Sequence, residues 1–398
     1  MGGKMASAMK RKCVIDVDIR HDSVLRVANA THTLCIANQR FSDAVKLSPH
    51  RINRSNAGGG VPFSKAFCET IGYAVEFMFG DVFQSGIKVI TDFLYQKTLP
   101  ADKMDSLLLR KLLDFVKDER RIKVYHEKLS GTELAVTLTN HLFGKLATLG
   151  SYLVDRCDAG EKEVECSCID QSCETAGRYG DTSIGNIDVW HGDVDVLINN
   201  DLIVQHLKDP PRSRGENESS PGGQTPVEAK VNCSVLAGNP HITAQTTVFS
   251  FLQKKTHPER DHFLIPCFGV GNSTLVVVFY DSEHDVLLES THIPLFRSSG
   301  CDEYEFNDTA IIVSWLTVNY KYLCSGVTED MKSFKGDFFE DVREKMKIYE
   351  GELQLGNIAY PVWNVLKKSL QFSSFLEEQE MKLVAIIHRE MREQGGIE

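Results

Sequence analysis

The spacing of hydrophobic residues divides the chain into four stretches. Residues 1–60 are mixed and mostly polar, close on Asn56-Ala57-Gly58-Gly59-Gly60, and predict an irregular segment. Over 61–130 the period is helical. Ser64 can cap a helix presenting Phe67, Ile71, Val75 and Met78; Asp105 or Ser106 can cap one presenting Leu109, Leu112, Leu113 and Val116. The third stretch, 131–295, opens with a helix from Ser130 whose Leu134, Leu138, Leu142 and Leu146 recur every four positions. After a Cys-rich, acidic run at 157–185 the period changes to two. Asn186–Asn199 predicts one or two strands and Pro226–Val231 another, with a disordered loop at 209–226 that lacks any large apolar residue. A helix at 243–255 and strands near 263–269, 274–280 and 285–290 complete the expected α/β core. The fourth stretch, 296–398, is mixed and helical. It includes a partly strand-like Asp308–Asn319 and an amphipathic helix over Phe375–Arg392.

Composition narrows the function classes. The 398 residues are 42% hydrophobic and 25% charged, which are globular proportions. The net charge of −11 argues against a chain that coats nucleic acid through a general positive field. No run reaches about 18 apolar residues, so no membrane span is expected; the longest candidate, Phe263–Tyr280, is broken by Pro266, Gly269 and Gly271. Met1–Lys12 has basic residues with no apolar run behind them, unlike a secretory signal, and Ala6 stands where a myristoylation signal needs Ser or Thr. With 11 Cys and no secretion signal, reduced thiols in an intracellular setting are expected. That setting is nuclear or cytoplasmic, and the acid-free basic start leaves a mitochondrial destination open. Neither the GxxxxGK[ST] phosphate loop nor the Gly-x-Ser-x-Gly esterase signal is present.

The candidate chemistry lies on two strands. In Gly192-Asp193-Val194-Asp195-Val196-Leu197-Ile198, Val194, Val196 and Ile198 share one face, and Asp193 and Asp195 the other. In Pro226–Val231, Glu228 and Lys230 lie opposite Val227, Ala229 and Val231. If the strands pair, Asp195, Glu228 and Lys230 converge. Two close carboxylates repel unless a cation sits between them, and oxygen ligands select Mg²⁺ or Mn²⁺ over zinc. Such an ion activates water for attack on a phosphodiester, and an ammonium such as that of Lys230 can orient that water. A solvated strand face with a cross-strand ion pair fits the same pattern.

Gly192-x-x-Asp195 followed by Glu228-x-Lys230 resembles the PD-(D/E)XK nuclease superfamily. Gln245, in Ala244-Gln245-Thr246-Thr247-Val248-Phe249, resembles the Gln-x-x-x-Tyr helix of RecB-type and phage-exonuclease-like members, with Phe249 replacing the Tyr. The resemblance implies a restriction-endonuclease-like mixed sheet flanked by helices, with helical N-terminal and mixed C-terminal additions. It implies a metal-dependent nuclease, acting on DNA more readily than RNA. Asp195, Glu228 and a helix acid, Glu133, would hold the metal; Lys230 would position the water. Gln245 would contact a substrate phosphate. Apart from the resemblance, His191 stands at a strand junction just before Gly192, where it could reach substrate or serve only as a turn residue. A catalytically inactive nuclease-like domain, binding nucleic acid or protein, is the alternative. The 33 positions between Asp195 and Glu228 exceed what a tight hairpin needs, and the 209–226 loop can absorb the excess. Glu380-Met381-Lys382 also reads Glu-x-Lys but falls in a helical pattern, where the two side chains diverge.

A second cluster, Cys157, Cys166, Cys168 and Cys173, spaced C-x8-C-x-C-x4-C, offers four thiolates for a structural metal. It lacks the CxxC knuckle common in such sites, and ordinary loop thiols fit as well.

Overall fold

The computed structural model describes residues 21–36, 44–117, 131–155, 162–168, 173–207, 238–271, 273–298 and 304–358. Helix α1 (His21–Cys35) leads to strand β1 (Lys46–Ser55), short strands β2 (Cys68–Gly72) and β3 (Phe77–Met78), and helices α2 (Gln84–Gln96) and α3 (Lys103–Lys117). Helix α4 (Gly131–Leu138) runs through a π-helical turn at Thr139–Phe143 into a last short turn, α5 (Gly144–Leu146). Strands β4 (Tyr152–Asp155), β5 (Gly177–Gly180), β6 (Ile184–Gly185), β7 (His191–Gly192), β8 (Val196–Ile198) and β9 (Leu202–His206) follow. After α6 (Pro240–Thr256) come β10 (Leu264–Val270), β11 (Thr274–Asp281), β12 (Val286–Ser290) and β13 (Ile293–Pro294). Helix α7 (Asp308–Val318) begins the C-terminal part.

The main sheet has the order β2-β1-β12-β11-β10-β9-β8-β4-β5. It is mixed: β9 runs parallel to β10 and β4 parallel to β5, while the other pairs along this path are antiparallel. Successive residues of β10 meet opposite layers. The ring of Phe268 stacks on Phe143 of the π-turn, centroids 4.4 Å apart. Gly269 faces Leu207 and Ile242 of α6 so closely that a Cβ would come within 2.5 and 3.0 Å of them. Hence the middle of the sheet is covered on both faces, and β10 is buried at every position. The protein is thus a mixed α/β structure in which a large sheet is flanked by helices. No described helix is long and apolar enough to cross a membrane.

Several expected elements take other forms. Lys46–Ser55, within the stretch expected to be irregular, is a ten-residue strand paired with β12. The helix expected from Ser64 is instead a 3₁₀ turn at Phe63–Lys65 followed by β2 and β3. Asp308–Asn319 is helical rather than strand-like. Its β-branched residues suggested a strand, yet Ala310–Val318 is buried throughout, as in a helix enclosed on all sides. The Asn307 side chain caps it, and Trp315 Nε1 donates to the Leu108 carbonyl of α3 at 2.9 Å. The 209–226 loop, the 226–231 strand and the 375–392 helix lie outside the described residues.

The β8–β9 hairpin turns on Asn199 and Asn200, both with positive φ (50° and 57°), and Asp201 N donates to the Ile198 carbonyl at 2.9 Å. Asn tolerates this left-handed pair better than other side-chain-bearing residues, and the resulting type I′ turn suits strand twist. Asp201 then anchors the hairpin: it accepts from Arg260 Nη2 at 3.0 Å and Lys321 Nζ at 2.9 Å. Arg260 Nη1 also donates to Tyr320 Oη at 2.7 Å. Asp201→Ala leaves two half-buried cations without their shared carboxylate. It should lower unfolding stability by about 2–3 kcal/mol in urea titrations, more than Lys321→Met, which leaves the Asp201–Arg260 pair intact.

Candidate functional site

Asp195 enters β8 between two strands. Asp155 N of β4 donates to the Asp195 carbonyl at 3.1 Å, and Val196 pairs with both Val154 and Val204. Asp155 and Gln205 are therefore the cross-strand neighbours of Asp195, projecting from the same face. Gln205 Nε2 and His206 N both donate to Asp195 Oδ2 at 2.8 Å. Gln205 Oε1 in turn accepts from Asp195 N at 3.3 Å and Gln245 Nε2 at 2.8 Å. Gln205 thus uses both ends of its amide to tie Asp195 to α6. Burial is the largest influence on Asp195 and raises its pKa; these donors and the nearby His206 and His241 oppose the rise.

The expected pairing partner of β8 is not the one observed. Both edges of β8 are occupied, by β4 and by β9, so Pro226–Val231 cannot be its hydrogen-bonded neighbour. Glu228 and Lys230 themselves lie outside the described residues. The ionic face expected for Asp193 and Asp195 holds only in part: Asp193 is exposed and Asp195 half-buried. Leu197, which shares the Asp195 face, is fully buried, because α6 covers that side.

Other expected site residues are dispersed. Gln245 is fully buried rather than facing a substrate; its Nε2 reaches Gln205 and lies 3.0 Å from His241 Nε2, and its Oε1 is buried without a partner. The Gln245 amide donates there, so His241 Nε2 is an unprotonated acceptor. Burial lowers the His241 pKa, consistent with a neutral ring, although Asp195 opposes that shift. Glu133 is exposed in the first turn of α4, two residues after Gly131, which packs against the His206 ring. His191 belongs to a small sheet of β6, β7 and Gln354–Leu355, and its Nδ1 lies 2.9 Å from the Val189 carbonyl. Asp155 was not among the expected acids. Its signal is the strand-like Tyr152-Leu153-Val154-Asp155, which follows the leucine stripe.

Three of the four clustered cysteines do come together. Cys166 Sγ, Cys168 Sγ and Cys173 Sγ lie with a ring nitrogen of His141, all ligand atoms within 4.8 Å of one another. Cys157 lies outside the described residues. His141 comes from the π-turn and is buried. Its only sequence signal was a polar residue set among Leu134, Leu138 and Leu142. A second group, Asp281, Glu283 and His284, is the β11–β12 turn itself: Asp281 accepts from the amides of Glu283 and His284.

Comparisons with protein-family models, with curated proteins and with solved structures find no match. The nuclease resemblance therefore rests on this chain's own residues.

One further buried acid secures α6. Glu289 of β12 accepts from Gly238 N at 2.8 Å, just ahead of the Asn239 cap of α6. Burial pushes its pKa up to about 7, with the Gly238 bond opposing. A raised carboxyl pKa means the folded state holds a proton the unfolded chain has released. This contribution to stability is present at low pH and is lost as pH rises from about 4.5 to about 7. Glu289→Gln should flatten that decline and raise stability at pH 8 by up to about 3 kcal/mol, read from denaturant titrations across pH.

Proposed function

We propose that residues 131–270 form a restriction-endonuclease-like core that binds without hydrolysing, an interaction module built on a nuclease framework. The framework is supported by the succession α4, β4, β8, β9, α6, β10, with β5, β6 and β7 inserted between β4 and β8, and by β8 lying antiparallel to both neighbours and β9 parallel to β10. The loss of hydrolysis is carried by one observation. The strand paired to that of Asp195 presents Gln205 opposite it and the apolar Leu207 two residues on, where the resemblance calls for an acid and a lysine. Gln205 supplies no charge to a divalent ion, and Leu207 can orient no water. The Asp195 carboxylate is engaged instead by amide donors that tie the sheet to α6. Nucleic acid is the first partner to test, because that is what the resemblance implies.

Metal-dependent hydrolysis is a second reading, favoured by a specific observation. The chain between Leu207 and Gly238, which carries Glu228 and Lys230, leaves the end of β9 beside Asp195. It returns just before α6, whose His241 acts on Asp195. In this reading Asp155 and Asp195 offer neighbouring carboxylates, and Glu228 and Lys230 complete the site for Mg²⁺ or Mn²⁺.

Purified chain incubated with linear and circular DNA and with RNA, with and without Mg²⁺ or Mn²⁺, separates the two. The binding reading expects retention of nucleic acid in low-salt anisotropy titrations and no cleavage above the buffer control. Metal-dependent cleavage that falls by about 100-fold or more in Asp195→Asn, Glu228→Gln and Lys230→Ala would establish the hydrolase instead.

A further inference from the structure

We propose that His141, Cys166, Cys168 and Cys173 bind a single structural zinc ion, which fastens the edge of the main sheet to the π-turn. The argument begins with convergence. The His141 Nε2 lies 3.3 Å from Cys166 Sγ and 3.4 Å from Cys173 Sγ, and Cys168 Sγ joins them within the same 4.8 Å group. One ring nitrogen carries either one proton or one lone pair, so it cannot serve two sulfurs well. An ion between them satisfies all the groups at once. Zinc bonds of about 2.3 Å to sulfur and 2.0–2.1 Å to nitrogen set tetrahedral S···N edges of about 3.5 Å, close to the separations observed. A polynuclear iron–sulfur cluster would hold its ligands farther apart than this group allows.

The surroundings suit thiolates. Asn140, the residue before His141, points its Nδ2 at Cys173 Sγ (3.0 Å) and at the Glu174 carbonyl (3.4 Å), so the helix clasps the cysteine segment twice. The Tyr152 hydroxyl is buried without a hydrogen-bond partner, close enough to Cys166 and Cys173 to feel their ionisation. Bound thiolates would accept the proton it has to donate. None of the three sulfurs is engaged in a disulfide. Burial pushes the Cys173 thiol up to about 12. Zinc binds the thiolate form, so binding displaces the proton of each ligating thiol.

The π-turn explains why a histidine joins the set. A π-turn inserts one residue into a helix and occurs frequently at functional sites. Here it keeps Leu138, Leu142 and Phe143 in the core while Asn140 and His141 meet the cysteines. The site also answers a topological problem. β4 and β5 are parallel, so the chain between Asp155 and Gly177 must cross over. Cys166, Cys168 and Cys173 all lie on that crossover, and His141 lies on the helix it passes. With four protein ligands the site is closed, as structural zinc sites are.

The test uses the full chain, expressed with zinc and purified under reducing conditions. Elemental analysis should find about one zinc per chain. Removal by chelator should lower the melting temperature, and zinc should restore it. His141→Asn should lose the metal, His141→Cys should retain it, and Cys157→Ser should leave it unchanged. Alkylation followed by mass spectrometry needs no variant: zinc should protect Cys166, Cys168 and Cys173 and leave Cys157 reactive. Cobalt substitution should give the charge-transfer absorption of thiolate ligation. The proposal is overturned if zinc-reconstituted wild type retains no metal after dialysis, or if Cys166→Ser/Cys173→Ser keeps it. It is equally overturned if Cys157→Ser loses the ion while His141→Asn holds it, which would make the set all-cysteine.

Discussion

The central strands are buried on both faces, and every polar group placed among them must find its partner inside the protein. β10 lies between α6 on one side and the π-turn on the other, with Phe268 and Gly269 meeting the two layers in turn. An uncompensated polar group in such a position costs about 1–3 kcal/mol. The internal ties follow from that cost. Gln205 spends both ends of its amide on Asp195 and Gln245, Asp201 gathers two cations and Glu289 caps a bare amide. The same constraint makes Asp195 a different object from the solvent-facing acid its alternating sequence suggested.

How much was legible varied with the kind of signal. The amphipathic stripes at Leu109–Val116 and Leu134–Leu146 became α3 and the helix running from α4 to α5, and the apolar runs after residue 263 became β10, β11 and β12, because their periods are long and sustained. Strand β9 was missed although its cue was present. Asn199-Asn200 is a type I′ turn sequence directly ahead of Leu202-Ile203-Val204. Overlooking it left β8 with an open edge and drew Pro226–Val231 into the role β9 fills. α7 was misread for the opposite reason: Ile311, Ile312, Val313 and Val318 favour strands locally, and enclosure by neighbouring helices overrides that preference.

The candidate sites divide along the same line. The acids and thiols were visible as residue types, but their grouping depends on contacts across long stretches of chain. Cys166, Cys168 and Cys173 were a set from their spacing alone. The fourth member, His141, stands 25 positions before Cys166 on a helix. Helical periodicity places a residue at 141 beside Leu134 and Leu138 but says nothing of the insertion that turns its ring outward from the leucine stripe. Gln245 shows the reverse case: its helix was expected, and its burial beneath the sheet was not.

Chemically, the two clusters are independent. Thiolates and imidazole are soft or borderline donors that select zinc, whereas the row Asp155, Asp195 and Gln205 offers only oxygen and amide groups suited to hard cations. A tightly held zinc would thus be no sign of hydrolysis at Asp195. Mechanically they are joined. The π-turn that presents His141 also seats Phe143 on Phe268, and β10 lies directly beside β9 with its Gln205. β4 closes the other route, since it ends at Asp155 beside Asp195 and begins at Tyr152 beside the cysteines. An ion at the sheet edge would therefore restrain the strand and the turn that together frame Asp195, without sharing the chemistry of its surroundings.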